Sequence, residues 1–517
     1  DYPDPDVIRV GDVYYMITTT MHMFPGGQIL KSYDLAHWEH AGYVFDHLDH
    51  TSQQRLEGGN IYGKGMWAAS LRFHKGVFHV VFCANDTQSM YHYTAAAIEG
   101  PWERHSMSGF YHDNSVLFDD DGRVFIVYGN TEIHLTELLP DLSEPKPGGI
   151  DKVIIRDEGD VLLGYEGAHL YKIDGRYYLF LIHWPHTGHG RRTEALFTAD
   201  RIDGEWTGGD CLDEDLGFFN SGVAQGGIVD TPQGEYFAML FQDHGAQGRM
   251  PVLVPVSFED GQIKMGPAGV QVRVRQSHSE HTCRPLFGSD DFSSGKREDF
   301  WQWNHEPKPE LCFFDAKEKC LKLKTDRITQ NLPEAVNILT QRCFGKQMTA
   351  EVTISGAGLQ EGDRAGICAM QGQYAELAMT RKNGRLELSI TGMSGENGKV
   401  TMDLGTQEEE TVSLQLHFDY RNKADKVTFY TGSIKNDMKN RRDKTTDEIK
   451  GEYKPVGSTW QLYYTLDHFM GCRVGLFLYS TKEPGGEARF SDFRMKVDQM
   501  SDENPGIEIR SRELQIN

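Results

Sequence analysis

At 517 residues the chain is long enough for two or more domains, each burying its own core. Its 53 lysines and arginines face 76 aspartates and glutamates, a formal charge of −23, so its surface repels phosphate backbones and anionic membranes and suits a neutral ligand. No run of about 18 apolar residues is present to form a membrane-spanning helix. The eight cysteines are scattered without a Cys-x-x-Cys pair and read as mostly reduced, buried thiols rather than a zinc cluster. The expected setting is therefore soluble, with the cytoplasm ahead of the periplasm or secretion.

The chain opens on Asp1-Tyr2-Pro3-Asp4-Pro5-Asp6, where two prolines fix the backbone around Asp4 just before an apolar strand. Five stretches then share one layout, a turn pair followed by an aromatic-rich strand. They are Gly11-Asp12-Val13-Tyr14-Tyr15, Lys75-Gly76-Val77-Phe78-His79, Asp121-Gly122-Arg123-Val124-Phe125, Asp174-Gly175-Arg176-Tyr177-Tyr178 and Gln233-Gly234-Glu235-Tyr236-Phe237. Each follows a short apolar strand and so predicts a β-hairpin. They recur at about 45 to 65 residues, the size of a four-stranded blade. A second marker runs in phase, with Ile98-Glu99-Gly100-Pro101-Trp102 matching Ile202-Asp203-Gly204-Glu205-Trp206. The pattern predicts an all-β protein, with a five-bladed β-propeller over residues 1–275.

Counting back nine residues from Gly76, Gly122, Gly175 and Gly234 reaches Trp67, Asp113, Glu166 and Gln225, and Asp4 takes the matching place in blade one. First strands of blades line the central channel, so these positions are expected to converge, three of them as acids. Crowded carboxylates need protons, hydrogen bonds or a cation in compensation. Two chemistries use such a set. A hard cation such as calcium takes carboxylate oxygens. Glycoside hydrolysis needs one protonated acid, one ionised carboxylate, and gains from a third acid that tunes the donor.

Phe24, Trp67 and Trp184 are candidate apolar faces under a sugar ring, with plain blade packing as the alternative. His183, His186 and His189 recur every three residues, but Pro185 and Gly188 break any helix between them, so a loop at the pocket rim is expected rather than a zinc site.

After Pro255 the blade pattern stops, and residues 276–287 read as a linker. Alternating strands such as Met348-Thr349-Ala350-Glu351-Val352-Thr353-Ile354 and Arg385-Leu386-Glu387-Leu388-Ser389-Ile390 then predict a jelly-roll, lectin-like β-sandwich over 288–500, followed by a tail over 501–517. The charged stretch from Lys435 to Lys450 reads as an exposed loop.

These residues resemble glycoside hydrolase family 43, the propeller enzymes that include β-xylosidases and α-L-arabinofuranosidases. The matching segments are Tyr2-Pro3-Asp4-Pro5-Asp6, Phe24-Pro25-Gly26-Gly27, Trp67-Ala68-Ala69-Ser70, His112-Asp113-Asn114-Ser115, Tyr165-Glu166-Gly167-Ala168-His169, Gln225-Gly226-Gly227 and Phe241-Gln242-Asp243-His244-Gly245. The resemblance implies Asp4 as general base, Asp113 as the acid that tunes and positions, Glu166 as general acid, and single-step inversion. It also implies that Arg249 contacts sugar hydroxyls. Gln225 stands where many relatives have a histidine, for which His244 is the candidate substitute. The implied substrate is a pentose-containing oligosaccharide or polysaccharide side chain, cut to release xylose or L-arabinofuranose, with no nucleic-acid or membrane partner.

The second half is similar to the lectin-like module that accompanies many xylosidases of this family, from which a loop reaches over the propeller. No cofactor is required by this chemistry; a structural calcium is the one ion allowed for, with Asp291 and Asp492 as its candidate ligands. Two rival readings stay open at this stage. One is a non-catalytic carbohydrate-binding propeller and lectin. The other is a retaining fructan-type glycosidase, although Pro3-Asp4-Pro5 does not supply its Asn-Asp-Pro motif.

Overall fold

The computed structural model describes residues 1–259, 262–267, 274–394, 398–432 and 453–498. The charged stretch from Lys435 to Lys450 and the tail at 501–517 lie outside the described residues. Five separate four-stranded antiparallel sheets follow one another along the first half. Blade one holds Asp6–Val10, Val13–Thr18, Gly26–Ser32 and Trp38–Phe45, and blade two Met66–His74, Val77–Ala84, Ser89–Ala95 and Glu103–His105. Blade three holds Ser115–Phe118, Val124–Asn130, Glu132–Leu138 and Asp151–Arg156. Blade four comprises Val161–Ile173, Arg176–Pro185, Thr193–Ala199 and Thr207–Leu212, and blade five Val223–Asp230, Tyr236–Asp243, Arg249–Glu259 and Gln262–Met265.

The five hairpins form, but with two kinds of turn. Blades two and four close through the pairs Lys75-Gly76 and Asp174-Gly175, both residues of each at positive φ, which twists with the flanking strands. Blades three and five use five-residue loops, 119–123 and 231–235, each closed on itself by backbone hydrogen bonds.

That difference corrects the count of equivalent positions. Along the channel, Asp6 Oδ2 accepts from Leu71 N at 2.7 Å, Ser70 Oγ from Val116 N at 3.0 Å and Ser115 Oγ from Leu170 N at 2.9 Å. His169 Nδ1 completes the path 3.1 Å from Asp6 Oδ1. The equivalent first-strand residues are therefore Asp6, Ser70, Ser115, His169 and, by continuation, Gly227. Two residues upstream lie Asp4, Ala68, Asp113, Gly167 and Gln225. Asp4, Asp113, Gly167 and Gln225 all take left-handed backbone, with φ of 51, 50, 64 and 56°. Glu166 and Trp67 thus sit one residue before the shared position. Such an offset ordinarily turns a side chain to the opposite face of a strand. Register shifts at Glu166/His169 and Met66/Ala69 absorb the extra residue.

The ring closes where the blade-one strands meet blade five. Tyr2 N donates to the Arg249 carbonyl at 2.8 Å, and Arg9 Nε to Asp230 Oδ1 at 3.0 Å.

The second half forms two sheets of eight and seven strands that enclose Leu339, Met348, Ile367, Leu414 and Phe490. Burying each such side chain fully contributes about 1.5–3 kcal/mol. The eight-stranded sheet takes its edge strand from the propeller, since Met23–Phe24 pairs with Asn304 and Trp303. On the far side, Cys472 N donates to the Ala246 carbonyl at 2.8 Å. A Cβ on Gly471 would come within 2.3 Å of the Gln247 carbonyl, so only glycine permits that approach.

Asp291 and Asp492 each lie beside a basic side chain. Asp291 Oδ2 lies 3.5 Å from Lys319 Nζ, and Asp492 Oδ1 3.2 Å from Arg494 Nη2. The buried acid there is Asp290, which accepts from Phe292 N and Trp301 Nε1 and tacks the module's first residues to its last strand.

Candidate active site

Asp4 is buried at the channel mouth. Its Oδ2 accepts from Thr19 Oγ1 at 2.5 Å, and its Oδ1 pairs with Arg249 Nη1. Arg249 is itself buried between two rings, 4.2 Å from the centre of Phe241 and 3.6 Å from that of Phe469. Its Nε lies 3.4 Å from Asp243 Oδ1, which also accepts from Tyr464 Oη at 2.6 Å, and Asp243 pairs through Oδ2 with Arg192. An unpaired charge at such depth would be costly, and alternating acids and guanidiniums pair one another and hold the set in place. Arg192 pays for its burial in basicity: it is lowered to about 10, by desolvation first and Arg249 second.

Asp113 and Glu166 meet around His112. Its Nε2 lies 3.5 Å from Glu166 Oε2 and 3.8 Å from Asp113 Oδ1. Asn130 Nδ2 donates to the same Glu166 oxygen. Burial pushes the Asp113 carboxyl up to about 7; His112 opposes the rise while Glu166 and Asp4 reinforce it. Asp113 in turn holds the imidazole well above its ordinary range.

Trp67 leans against His112 and Phe469, with centroids 5.8 and 5.3 Å away, and anchors its Nε1 on the Gly63 carbonyl at 3.1 Å. Trp184 lies under Arg192 at 4.6 Å and remains half-buried. Gln225 is buried beside the acids; its backbone N donates to Glu194 Oε2 at 2.7 Å, and a Cβ on Gly167 would strike its side chain within 2.7 Å.

Two expectations change. Phe24 is wholly buried, its ring 6.2 Å from Phe45, so it belongs to the blade core and offers no face to a ligand. His244 stacks on Phe218 at 4.0 Å and bonds Gln242 Oε1 at 2.8 Å; the imidazole that stands among the acids is His112. The rim histidines each face an aspartate of their own, His183 with Asp157 and Asp210, His186 with Asp160 and His189 with Asp213, so they are not arranged around one ion.

Sequence reasoning gave no role to His112, Asn130, Arg192, Asp243, Tyr464 or Phe469. The last two come from the loop between strands Tyr453–Gln461 and Arg473–Ser480, as the expected reach of the second module over the propeller requires. Their contacts, more than 200 residues away along the chain, leave no local pattern.

The ligand atoms of His112, Asp113 and Glu166 lie within 4.8 Å of one another. Calcium calls for oxygen donors, whereas here an imidazole intervenes and a guanidinium occupies Asp4. The arrangement suits proton transfer to and from a neutral, hydroxyl-rich ligand, with Arg249 and Arg192 as hydrogen-bond donors and aromatic walls at Trp67, Trp184 and Phe469.

The family model for glycosyl hydrolases family 43 matches residues 1–263, and the model for the beta xylosidase C-terminal Concanavalin A-like domain matches 289–496. A beta-xylosidase of Formosa agariphila is 26% identical over 543 residues, covering 94% of this chain and 87% of that protein. A non-reducing end alpha-L-arabinofuranosidase of Bacteroides ovatus is 25% identical, covering 74% of this chain and 75% of its own. The structure of a bifunctional GH43-CE protein of Bacteroides eggerthii superposes with a TM-score of 0.85 at 38% identity, over 97% of this chain but only 63% of that one. No helix among the described residues is long and apolar enough to cross a membrane.

Proposed function

The chain belongs to glycosyl hydrolases family 43 and is a glycosidase, and from that premise we propose that it releases single pentoses, xylose or L-arabinofuranose, from xylan- or arabinoxylan-derived saccharides. The relatives named beta-xylosidase and alpha-L-arabinofuranosidase support that substrate class. The observation that carries the reading is the cover that the second module gives to the acids, where Arg249 joins Asp4 to Phe469. A pocket walled on that side accommodates one terminal sugar and leaves the rest of the saccharide outside.

In this reading Asp4 is the general base. Thr19 and Arg249 each bond one of its oxygens, which fixes the group and aims it at a water. The water loses a proton to Asp4 as its oxygen bonds to the anomeric carbon. On the opposite side Glu166 gives a proton to the glycosidic oxygen as the carbon–oxygen bond breaks, which inverts the anomeric centre. The contacts of Asn130 and His112 both fall on Oε2, which leaves Oε1 as the proton-donating oxygen. Asp113, which shares His112 with Glu166, sets the charge that the donor feels.

Glu166→Gln tests the assignment. Aryl xylosides with poor leaving groups are expected to lose at least 10²-fold in rate, while activated aryl leaving groups, which need little protonation, lose much less. An equal loss across the leaving-group series would remove Glu166 as the acid.

A further inference from the structure

Away from the acids, the segment that joins the two halves crosses the outer part of blade one. There His281 and Cys283, two residues apart in the irregular stretch after residue 274, meet Glu39 of the Trp38–Phe45 strand. His281 Nε2 lies 3.0 Å from Glu39 Oε1, and the three ligand atoms of Glu39, His281 and Cys283 all fall within 4.8 Å of one another. Zinc bound to sulfur at about 2.3 Å, nitrogen at about 2.0 Å and oxygen at about 2.0 Å places tetrahedral ligands roughly 3.3–3.6 Å apart. The cluster needs only small side-chain adjustments to reach that spacing. We infer that Glu39, His281 and Cys283 form a binding site for a zinc-class divalent cation that clips the interdomain segment to blade one.

Glu39 already has a second partner of the kind that orients a metal ligand, and the other two donors are packed in place. The other oxygen of Glu39 accepts from Arg284 N at 3.0 Å. The His281 ring packs against Tyr33 with centroids 4.7 Å apart. Cys283 donates its thiol proton to the His37 carbonyl, Sγ to O 3.7 Å, a contact that loss of the proton on metal binding would give up. Glu39 is 3% exposed, and a carboxylate so buried calls for a positive charge. At present Lys31 supplies one, its Nζ 3.3 Å from Glu39 Oε1.

A divalent ion would take over that role. Lys31 would swing its long stem toward solvent, His281 would carry its proton on Nδ1, and the Cys283 thiol would release one proton to bulk water as its sulfur binds. The fourth position is filled by water.

The test uses the full chain after chelator treatment, titrated with zinc and, for spectroscopy, with cobalt(II). One ion per chain is expected, with a sulfur-to-cobalt charge-transfer band and tetrahedral ligand-field bands. Cys283→Ser should abolish the sulfur band and weaken zinc at least tenfold. Lys31→Met, which removes the competing ammonium without touching a ligand, should tighten zinc by a similar factor. Zinc should also slow tryptic cleavage at Arg275 and Arg284, which flank the two ligands. Absence of a sulfur band in the unmodified protein, its persistence in Cys283→Ser, or a Lys31→Met variant that binds no tighter would each overturn the assignment.

Discussion

His22, His305 and His468 are packed together where the propeller meets the second module, with ring centroids 5.0 Å apart from His22 to each of the others. All three are buried. His305 Nε2 accepts from Ile61 N at 2.9 Å, which requires the neutral ring. Tyr62 and Asn304 face the cluster, Arg473 adds positive charge, and Asp467 is the acid nearest to His468. Burial lowers His305 to about 3 and His468 to about 4, and lowers His22 strongly as well.

The sign follows from linkage. A ring whose folded value lies below the ordinary 6.5 stays neutral in the native protein but gains a proton on unfolding. Stability is therefore full above about 6.5 and is lost as pH falls toward the folded value. At about pH 5 each such ring costs about 2 kcal/mol relative to neutral pH. Replacing His305 by Gln removes one of these terms. Urea unfolding at about pH 7 and about pH 5 should show the acid loss of stability shrinking by about 2 kcal/mol in His305→Gln, whatever the substitution costs at neutral pH. An acid loss equal to that of the unmodified protein would refute the reasoning. Because Phe469 directly follows His468 in the loop over Arg249, the same acidification should raise KM before kcat falls.

Further outcomes follow from the same contacts. Phe469→Ala removes the ring over Arg249, a contact of about 1–2 kcal/mol when desolvated, so kcat/KM should fall roughly tenfold with the fold retained by circular dichroism. His112→Gln removes the positive charge that opposes the rise of Asp113, so the acid limb of the kcat/KM profile should move to higher pH; movement to lower pH would contradict the placement. Glu194 is buried, and desolvation raises its carboxyl well above the ordinary value. Its ionisation therefore costs stability as pH rises from the ordinary carboxylate range toward the folded value, and Glu194→Gln should flatten that alkaline loss in thermal melts.

The blades were legible because turn pairs and aromatic strands recur at fixed spacing, and local chemistry writes both into the sequence. Position within the channel was less so. A count from the glycines cannot distinguish the tight Asp174-Gly175 turn from the five-residue loop at 119–123, and that placed Glu166 one residue out. Its bulged strand still delivers the side chain to His112. Phe24 carries the composition of a sugar platform, but its pairing with Trp303 of the other half closes it into the core. Arg192, Tyr464 and Phe469 join the site only through tertiary packing, which no spacing records.

In the proposed reaction a single displacement takes place at the anomeric carbon between Asp4 and Glu166. Proton NMR of aryl β-xyloside hydrolysis, followed before the free sugar equilibrates, tests it most directly. α-Xylose is expected to appear first, and Asp4→Asn to abolish its release while the protein stays folded. β-Xylose appearing first, or an Asp4→Asn variant that turns over at the unmodified rate, would contradict it.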